Sequence, residues 1–155
     1  MTFRRVLTAT LVAASALVIA PTAIADQADA RQHVVMIESV TRPGDVWDQS
    51  NWDGYPVIAY PNHGGANQMW EVSGDGTMLR SERDKLCATA ENDQVVGRRC
   101  TGYADQRWLG LDQPNATMIE LYETGLCVTH DGSKRQLLLR DCDPDRSDQR
   151  WYIRY

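Results

Sequence analysis

Cysteine, histidine, clustered acidic residues and tryptophan are the side chains of this sequence with chemistry to offer. Cys87, Cys100, Cys127 and Cys142 are its four cysteines. No CxxC or Cys/His zinc spacing occurs, so no metal is expected. An even count in an exported chain reads as disulfides. Three pairings are possible, and spacing favours one. Cys87 and Cys100 lie 13 apart, and Cys127 and Cys142 lie 15 apart. Leu precedes each first cysteine, and a small residue and Thr follow it (Leu86-Cys87-Ala88-Thr89, Leu126-Cys127-Val128-Thr129). Bridges Cys87–Cys100 and Cys127–Cys142 are therefore expected, each worth about 3 kcal/mol in a chain-entropy account.

The remaining candidates are weak. His33, His63 and His130 lack metalloprotease spacing. Asp141 to Asp148 is rich in carboxylates but lacks the Gly and Glu of an EF-hand loop. No Gly-x-Ser-x-Gly occurs, and no nucleophile–base or paired-carboxylate set emerges. The chain is therefore expected not to be an enzyme and to need no cofactor. Asn115-Ala116-Thr117 matches an N-glycosylation acceptor.

Residues 1–25 read as a secretory signal. Arg4 and Arg5 precede an apolar run from Val6 to Ala20, and Ala23-Ile24-Ala25 is an A-x-A cleavage site. A secreted protein follows, with a short extension at 26–33 and one domain at 34–155. No later segment is apolar enough to span a bilayer as a helix, so no membrane insertion is expected. Taking Arg4 and Arg5 from the 16 basic residues leaves 14 against 21 acidic ones, moving the net charge from −5 to −7. That balance argues against nucleic acid as a partner. Five Trp and six Tyr against one Phe favour aromatic rings with a polar handle.

The elements that position these residues come from a repeat. Asn67-Gln68-Met69-Trp70, Asp105-Gln106-Arg107-Trp108 and Asp148-Gln149-Arg150-Trp151 are three copies of one motif, [ND]-Q-x-W. Their tryptophans are 38 and 43 residues apart, and Cys87 and Cys127 are 40 apart. Repeats at 34–74, 75–112 and 113–155 follow. Short runs such as Val34–Ile37, Val57–Tyr60, Met78–Ser81, Met118–Leu121 and Leu137–Arg140 read as strands between Gly, Asn, Asp and Pro turns. No segment of 34–155 holds a helical period. Three all-β units of this size are too few for a propeller, and closure about a pseudo-threefold axis removes exposed edges. The expected fold is a β-trefoil. Trp70, Trp108 and Trp151 are then core residues. Gln and Trp are expected to alternate onto one face of a strand, with the Gln amide satisfying backbone groups at the turn.

These motifs resemble the ricin-type (R-type) lectin domain over essentially all of 34–155. The resemblance implies binding of galactose-type or related sugars at up to three shallow sites, one per repeat. It further implies an early Asp, an aromatic ring that stacks on the sugar, and the Asn before Gln-x-Trp. In the first repeat these are Asp48, Tyr60 and Asn67, with Gln68 beside them. Ile58, Val46 and Asn62 depart from the pattern, the latter two standing where cysteines are usual. The second repeat has Thr89, Arg98 and Asp105, and the third Thr129, Arg140 and Asp148. Both read as retired sites, with Arg98 pairing Asp105 and Arg140 pairing Asp148; the alternative is that Thr, Arg and Asp form a different site, for an acidic glycan or carboxylate.

Trp52, in the polar stretch Ser50-Asn51-Trp52-Asp53-Gly54, is either a second stacking platform or a loop-packing residue. Trp47 neighbours Asp48 on a strand, so it faces the other way and belongs to the core. His63 lies close to the first-repeat set. The expected function is a secreted carbohydrate-binding module whose partners are glycans or glycoconjugates. Asp48→Ala is expected to abolish binding and leave the melting temperature nearly unchanged. The alternative is a protein-interaction or targeting subunit of a secreted toxin or other complex.

Overall fold

Residues 33–113 and 115–155 are described by a computed structural model. The signal sequence and residues 26–32 lie outside the described residues. Among the described residues the regular structure is strand, interrupted only by three single 3₁₀ turns. The strands are β1 (His33–Ser39), β2 (Asp45–Gln49), β3 (Val57–Pro61), β4 (Trp70–Val72), β5 (Leu79–Ser81), β6 (Cys87–Glu91) and β7 (Gln94–Arg98). They continue as β8 (Trp108–Leu109), β9 (Thr117–Met118), β10 (Glu120–Leu121), β11 (Leu126–Thr129), β12 (Arg135–Gln136), β13 (Leu138–Asp141) and β14 (Arg150–Arg154). The run expected at Met118–Leu121 is split into β9 and β10 at Ile119, which is fully buried.

Closure is direct. The first and last strands pair, Met36 to Ser39 of β1 lying opposite Arg154 to Trp151 of β14. The other end of β1 pairs with β4. Three antiparallel hairpins, β2–β3, β6–β7 and β11–β13, carry equivalent registers. Asp48 lies opposite Ile58, Thr89 opposite Val96, and Thr129 opposite Leu138. The hairpins also bond one another in a ring. Pro56 bridges Val96, Gln94 pairs with Leu138, and Arg135 pairs with Ala59. That cyclic pairing is the β-trefoil, and it leaves the hairpins no free inner edge.

The core is built on tryptophan. Trp70, Trp108 and Trp151 are fully buried, and their indole N–H groups donate to the carbonyls of Trp47, Ala88 and Val128 at 3.2, 3.1 and 2.9 Å. Those three acceptors occupy equivalent hairpin positions. Their side chains break the threefold repeat. Trp47 stands where the other repeats have Ala and Val, and its ring meets all three Trp rings edge to face. The centroid distances are 6.2 Å to Trp70, 6.4 Å to Trp108 and 5.6 Å to Trp151. Edge-to-face contacts at this range are favourable beyond the area they bury. One large ring therefore fills the centre that three smaller residues would otherwise share.

Both disulfides form as expected, Cys87–Cys100 and Cys127–Cys142. In the first repeat Val46 is buried at the first cysteine position. There a backbone bond from Asn62 N to Gly44 O at 2.7 Å ties the hairpin ends. The third repeat has the same bond, Cys142 N to Gly125 O at 2.9 Å, in addition to its disulfide.

Candidate functional site

The Gln of each Gln-x-Trp motif links the fold to the site. It does not share a strand with Trp, as the sequence pattern implies. Gln68, Gln106 and Gln149 each end a 3₁₀ turn (Ala66–Gln68, Ala104–Gln106, Ser147–Gln149), and the strand begins after them. The turn lets the amide reach back to the hairpin. Gln68 Nε2 donates to Asp48 Oδ2 at 2.9 Å and Pro61 O at 3.1 Å, and its Oε1 accepts from His63 N at 2.8 Å. Gln106 repeats this with Thr89 Oγ1, Arg99 O and Thr101 N. Gln149 does so with Thr129 Oγ1, Asp141 O and Asp143 N. All three amides are buried and spend their hydrogen-bonding capacity locally.

The early-position residues differ in what they have left to offer. Thr89 Oγ1 accepts from Gln106 and donates to Cys87 O at 2.9 Å. Thr129 Oγ1 accepts from Gln149 and donates to Cys127 O at 3.2 Å. Each hydroxyl proton is thus consumed inside the hairpin. Asp48 is only 4% exposed, and its Oδ2 receives Gln68 and also His63 Nε2–H at 3.3 Å. Oδ1 makes no hydrogen bond among the described residues. Asp48 lines a cleft of about 280 Å³ together with Trp52, Tyr60, His63, Asn67 and Arg83. An ionised carboxylate has about four acceptor positions, so Asp48 keeps capacity for hydroxyl donors after serving Gln68 and His63.

The residues expected in the first repeat therefore meet at one place, with Gln68 directly behind Asp48. Tyr60 is opposite Val46 on β3 and is half-buried. Its ring meets His63 edge to face at 6.0 Å, and Lys134 Nζ lies 5.7 Å from its centroid. Asn67 follows from the 3₁₀ turn and lines the cleft. Trp52 is 55% exposed and lines it from loop 50–56. Trp47 faces away into the core.

Arg83 escapes sequence reasoning, because it belongs to the neighbouring repeat. Its Nη2 donates to Gln49 O at 2.7 Å and pairs with Asp84, holding the turn Glu82-Arg83-Asp84 beside the cleft. No spacing in the chain announces that contact.

The ion pairs expected in the other two repeats do not form. Arg98 is held by Glu91, with Nε to Oε2 at 2.9 Å and Nη2 to Oε1 at 3.0 Å. Glu91 lies on the same hairpin, so it is nearer than Asp105 across the turn. Asp148 is taken by Arg146, two residues away, at 2.6 and 3.0 Å. The Arg146 side chain bonds to Asp148 and holds its carboxyl below the ordinary range. Arg140 is exposed and forms no ion pair among the described residues.

A second polar cluster lies away from the cleft. Asp45 is buried and accepts from His130 Nε2–H at 3.0 Å and Ser133 Oγ–H at 2.9 Å. Ser133 bonds to the carboxylate and not to the imidazole, so the arrangement activates no nucleophile. It pins the third-repeat loop onto the first repeat. Among the described residues no group of three or more His, Cys, Asp or Glu could hold a metal ion, and no helix is long and apolar enough to cross a membrane.

The comparisons with known proteins agree with this geometry at the level of fold. The chain is similar to a Macrolepiota procera ricin B-like lectin, solved in complex with lactose, at 22% identity and a TM-score of 0.67, covering 79% of this chain and 95% of that one. It also resembles part of a mosquitocidal holotoxin at 18% identity and a TM-score of 0.68, over 80% of this chain and 17% of that one. A curated relative, a probable alpha-galactosidase A of Aspergillus clavatus, is 34% identical over 77 residues. That match spans 50% of this chain but only 14% of the relative's length. The family described as "ricin-type beta-trefoil lectin domain" matches residues 33–151, nearly the whole described chain. With the Gln-x-Trp turns and the ring of three hairpins in place, the protein belongs to the ricin-type β-trefoil lectin family.

Proposed function

We propose that the protein is a secreted, non-catalytic carbohydrate-binding module with one working site, the first-repeat cleft. Asp48 accepts hydrogen bonds from sugar hydroxyls, Tyr60 stacks on the apolar C–H face of a pyranose, and Asn67 adds a donor and an acceptor. Gln68 positions Asp48, and Trp52 is a second platform at the rim. The carrying observation is the contrast among equivalent residues. Asp48 faces a cleft with an unused oxygen, whereas Thr89 and Thr129 spend their hydroxyls on Cys87 O and Cys127 O. Secretion is supported by the leader-like start and the two disulfides.

A galactose-type sugar is the proposed ligand class. A single shallow site of this kind binds with a Kd of about 0.1–1 mM, since little area is buried and polar desolvation offsets much of the gain. A glycan array run on the protein and on Asp48→Thr tests the reading. Binding that disappears in the variant supports it, and binding that persists assigns the sugar elsewhere.

The second reading is a targeting or protein-interaction subunit. It is favoured by the loss of the sugar-binding groups in two repeats. A blank glycan array together with one stoichiometric protein partner in a pull-down would establish it.

A further inference from the structure

The geometry points to an extended ligand: the first-repeat cleft continues over loop 50–56 into a second groove, and the two together take an oligosaccharide longer than a disaccharide. This rests on the reading of the cleft as the sugar site. The second groove has a volume of about 510 Å³ and is lined by Tyr55, Asp84, Leu86, Gly97, Arg98 and Arg99.

The two depressions are lined by residues that neighbour one another in the chain. Arg83 lines the first and Asp84 the second, and the two side chains are ion-paired. Trp52 lines the first and Tyr55 the second, and one turn joins them, Tyr55 N donating to Trp52 O at 2.9 Å. Both rings are open, Trp52 at 55% and Tyr55 at 48% exposed. A chain seated on Tyr60 and Asp48 that leaves past Trp52 meets Tyr55 next.

The backbone of the loop that carries these rings is tied down. Ser50 N donates to Pro56 O at 3.0 Å, and Pro56 bridges Val96. Tyr55 O accepts from Gln49 Nε2 at 3.0 Å and from Gly97 N at 2.7 Å. Gly97 stands opposite Ala88, where the other hairpins place Ala59 and Leu139. A Cβ on Gly97 would run into the side-chain amide of Gln49, so the absence of a side chain there leaves room for Gln49.

Tyr55 itself sits at φ 54°, a left-handed conformation in which glycine or asparagine is cheaper. Tyr55 is one of six non-glycine residues at positive φ among the described residues, and its exposed ring is free to make contact. The groove presents that ring beside Asp84, whose Oδ2 is taken by Arg83, and beside Arg99, which is exposed, while the Arg98 guanidinium is already held by Glu91 and the carbonyls of Gly54 and Gly97. An aromatic face, an acceptor and donors are the groups that a hydroxyl-rich ring binds. Because the loop is already ordered, little entropy is lost when a ligand settles on it.

The test uses linear oligosaccharides of graded length on an array and in titration calorimetry, lactose and lactosamine oligomers among them. The proteins are the disulfide-bonded wild type, Asp48→Thr and Tyr55→Gly. Glycine suits φ 54°, so Tyr55→Gly is expected to keep or raise the melting temperature. The expected result is affinity that rises about tenfold from disaccharide to tetrasaccharide in the wild type. Tyr55→Gly should bring the tetrasaccharide down to disaccharide affinity and leave the disaccharide unchanged, while Asp48→Thr abolishes both. No gain with length, or a gain that survives Tyr55→Gly, overturns the extension and leaves the first-repeat site standing. Binding that survives Asp48→Thr but is lost in Tyr55→Gly overturns the first-repeat reading and makes the groove the site. An array blank at every length overturns both.

Discussion

Gln68 Nε2 donates to Asp48 Oδ2 across 2.9 Å, and both groups are buried. The proposed ligand group is therefore also a fold group. Asp48→Ala would strand a buried amide, at a cost of about 1–3 kcal/mol. A fall in melting temperature of several degrees is expected, in contrast to the silent change that sequence alone implies. Asp48→Thr copies what Thr89 and Thr129 do for Gln106 and Gln149. It should melt close to wild type and bind no glycan. Thermal melts beside the array separate the two effects, and a wild-type melting curve for Asp48→Ala would contradict this account.

Trp47 touches three other indoles and has no counterpart in the other repeats. Trp47→Ala should lose about 3–5 kcal/mol, in the range of large core truncations. Trp47→Val, copying Val128, should still cost most of that, because the remaining rings cannot close the space. Near-UV circular dichroism should weaken with either change. Denaturant unfolding checks the magnitude, and a loss below about 1 kcal/mol would show that the centre repacks.

The buried Asp45–His130 pair holds the third-repeat loop on the first repeat. Removing the carboxylate leaves His130 Nε2 and Ser133 Oγ without their acceptor. His130 Nδ1 accepts from Gly132 N, so the imidazole is a neutral donor, and Asp45→Ala is expected to cost about 1–3 kcal/mol, as for a buried donor left unsatisfied. Urea titration measures it. Hydrogen exchange at 130–136 should rise first, since that loop loses its anchor.

Acid should act through Asp148. Its native carboxyl is held below the ordinary range by the hydrogen bond from Arg146. A depressed value in the folded state means the pair stabilises fully above the unfolded value, about pH 4. The contribution disappears as the pH falls through the lower native value. Asp148→Asn should therefore melt slightly below wild type at pH 7, and the gap should close in strong acid. A gap that widens on acidification would reverse the sign.

Much of this protein was legible in one dimension. The Gln-x-Trp triplet and the Leu-Cys spacing are local and periodic, so they report the threefold fold and both disulfides directly. The resemblance pointed to Asp48, Tyr60 and Asn67, and the fold brings them to one cleft because hairpin register keeps their offsets from the motif. The ion-pair expectations for Arg98 and Arg140 failed for the complementary reason. A charged side chain takes the nearest carboxylate its hairpin or turn supplies, and a motif does not encode that choice.

The threefold repeat is written along the chain, because each unit needs the others to bury its Trp. Where the repeat is broken emerges only once the chain is folded. Trp47 at the centre, Gly97 making room for Gln49, Arg83 reaching into a neighbouring cleft and Asp45 reaching His130 are all contacts between repeats. Such contacts depend on shape and distance after closure about the threefold axis, and no spacing along the chain records them.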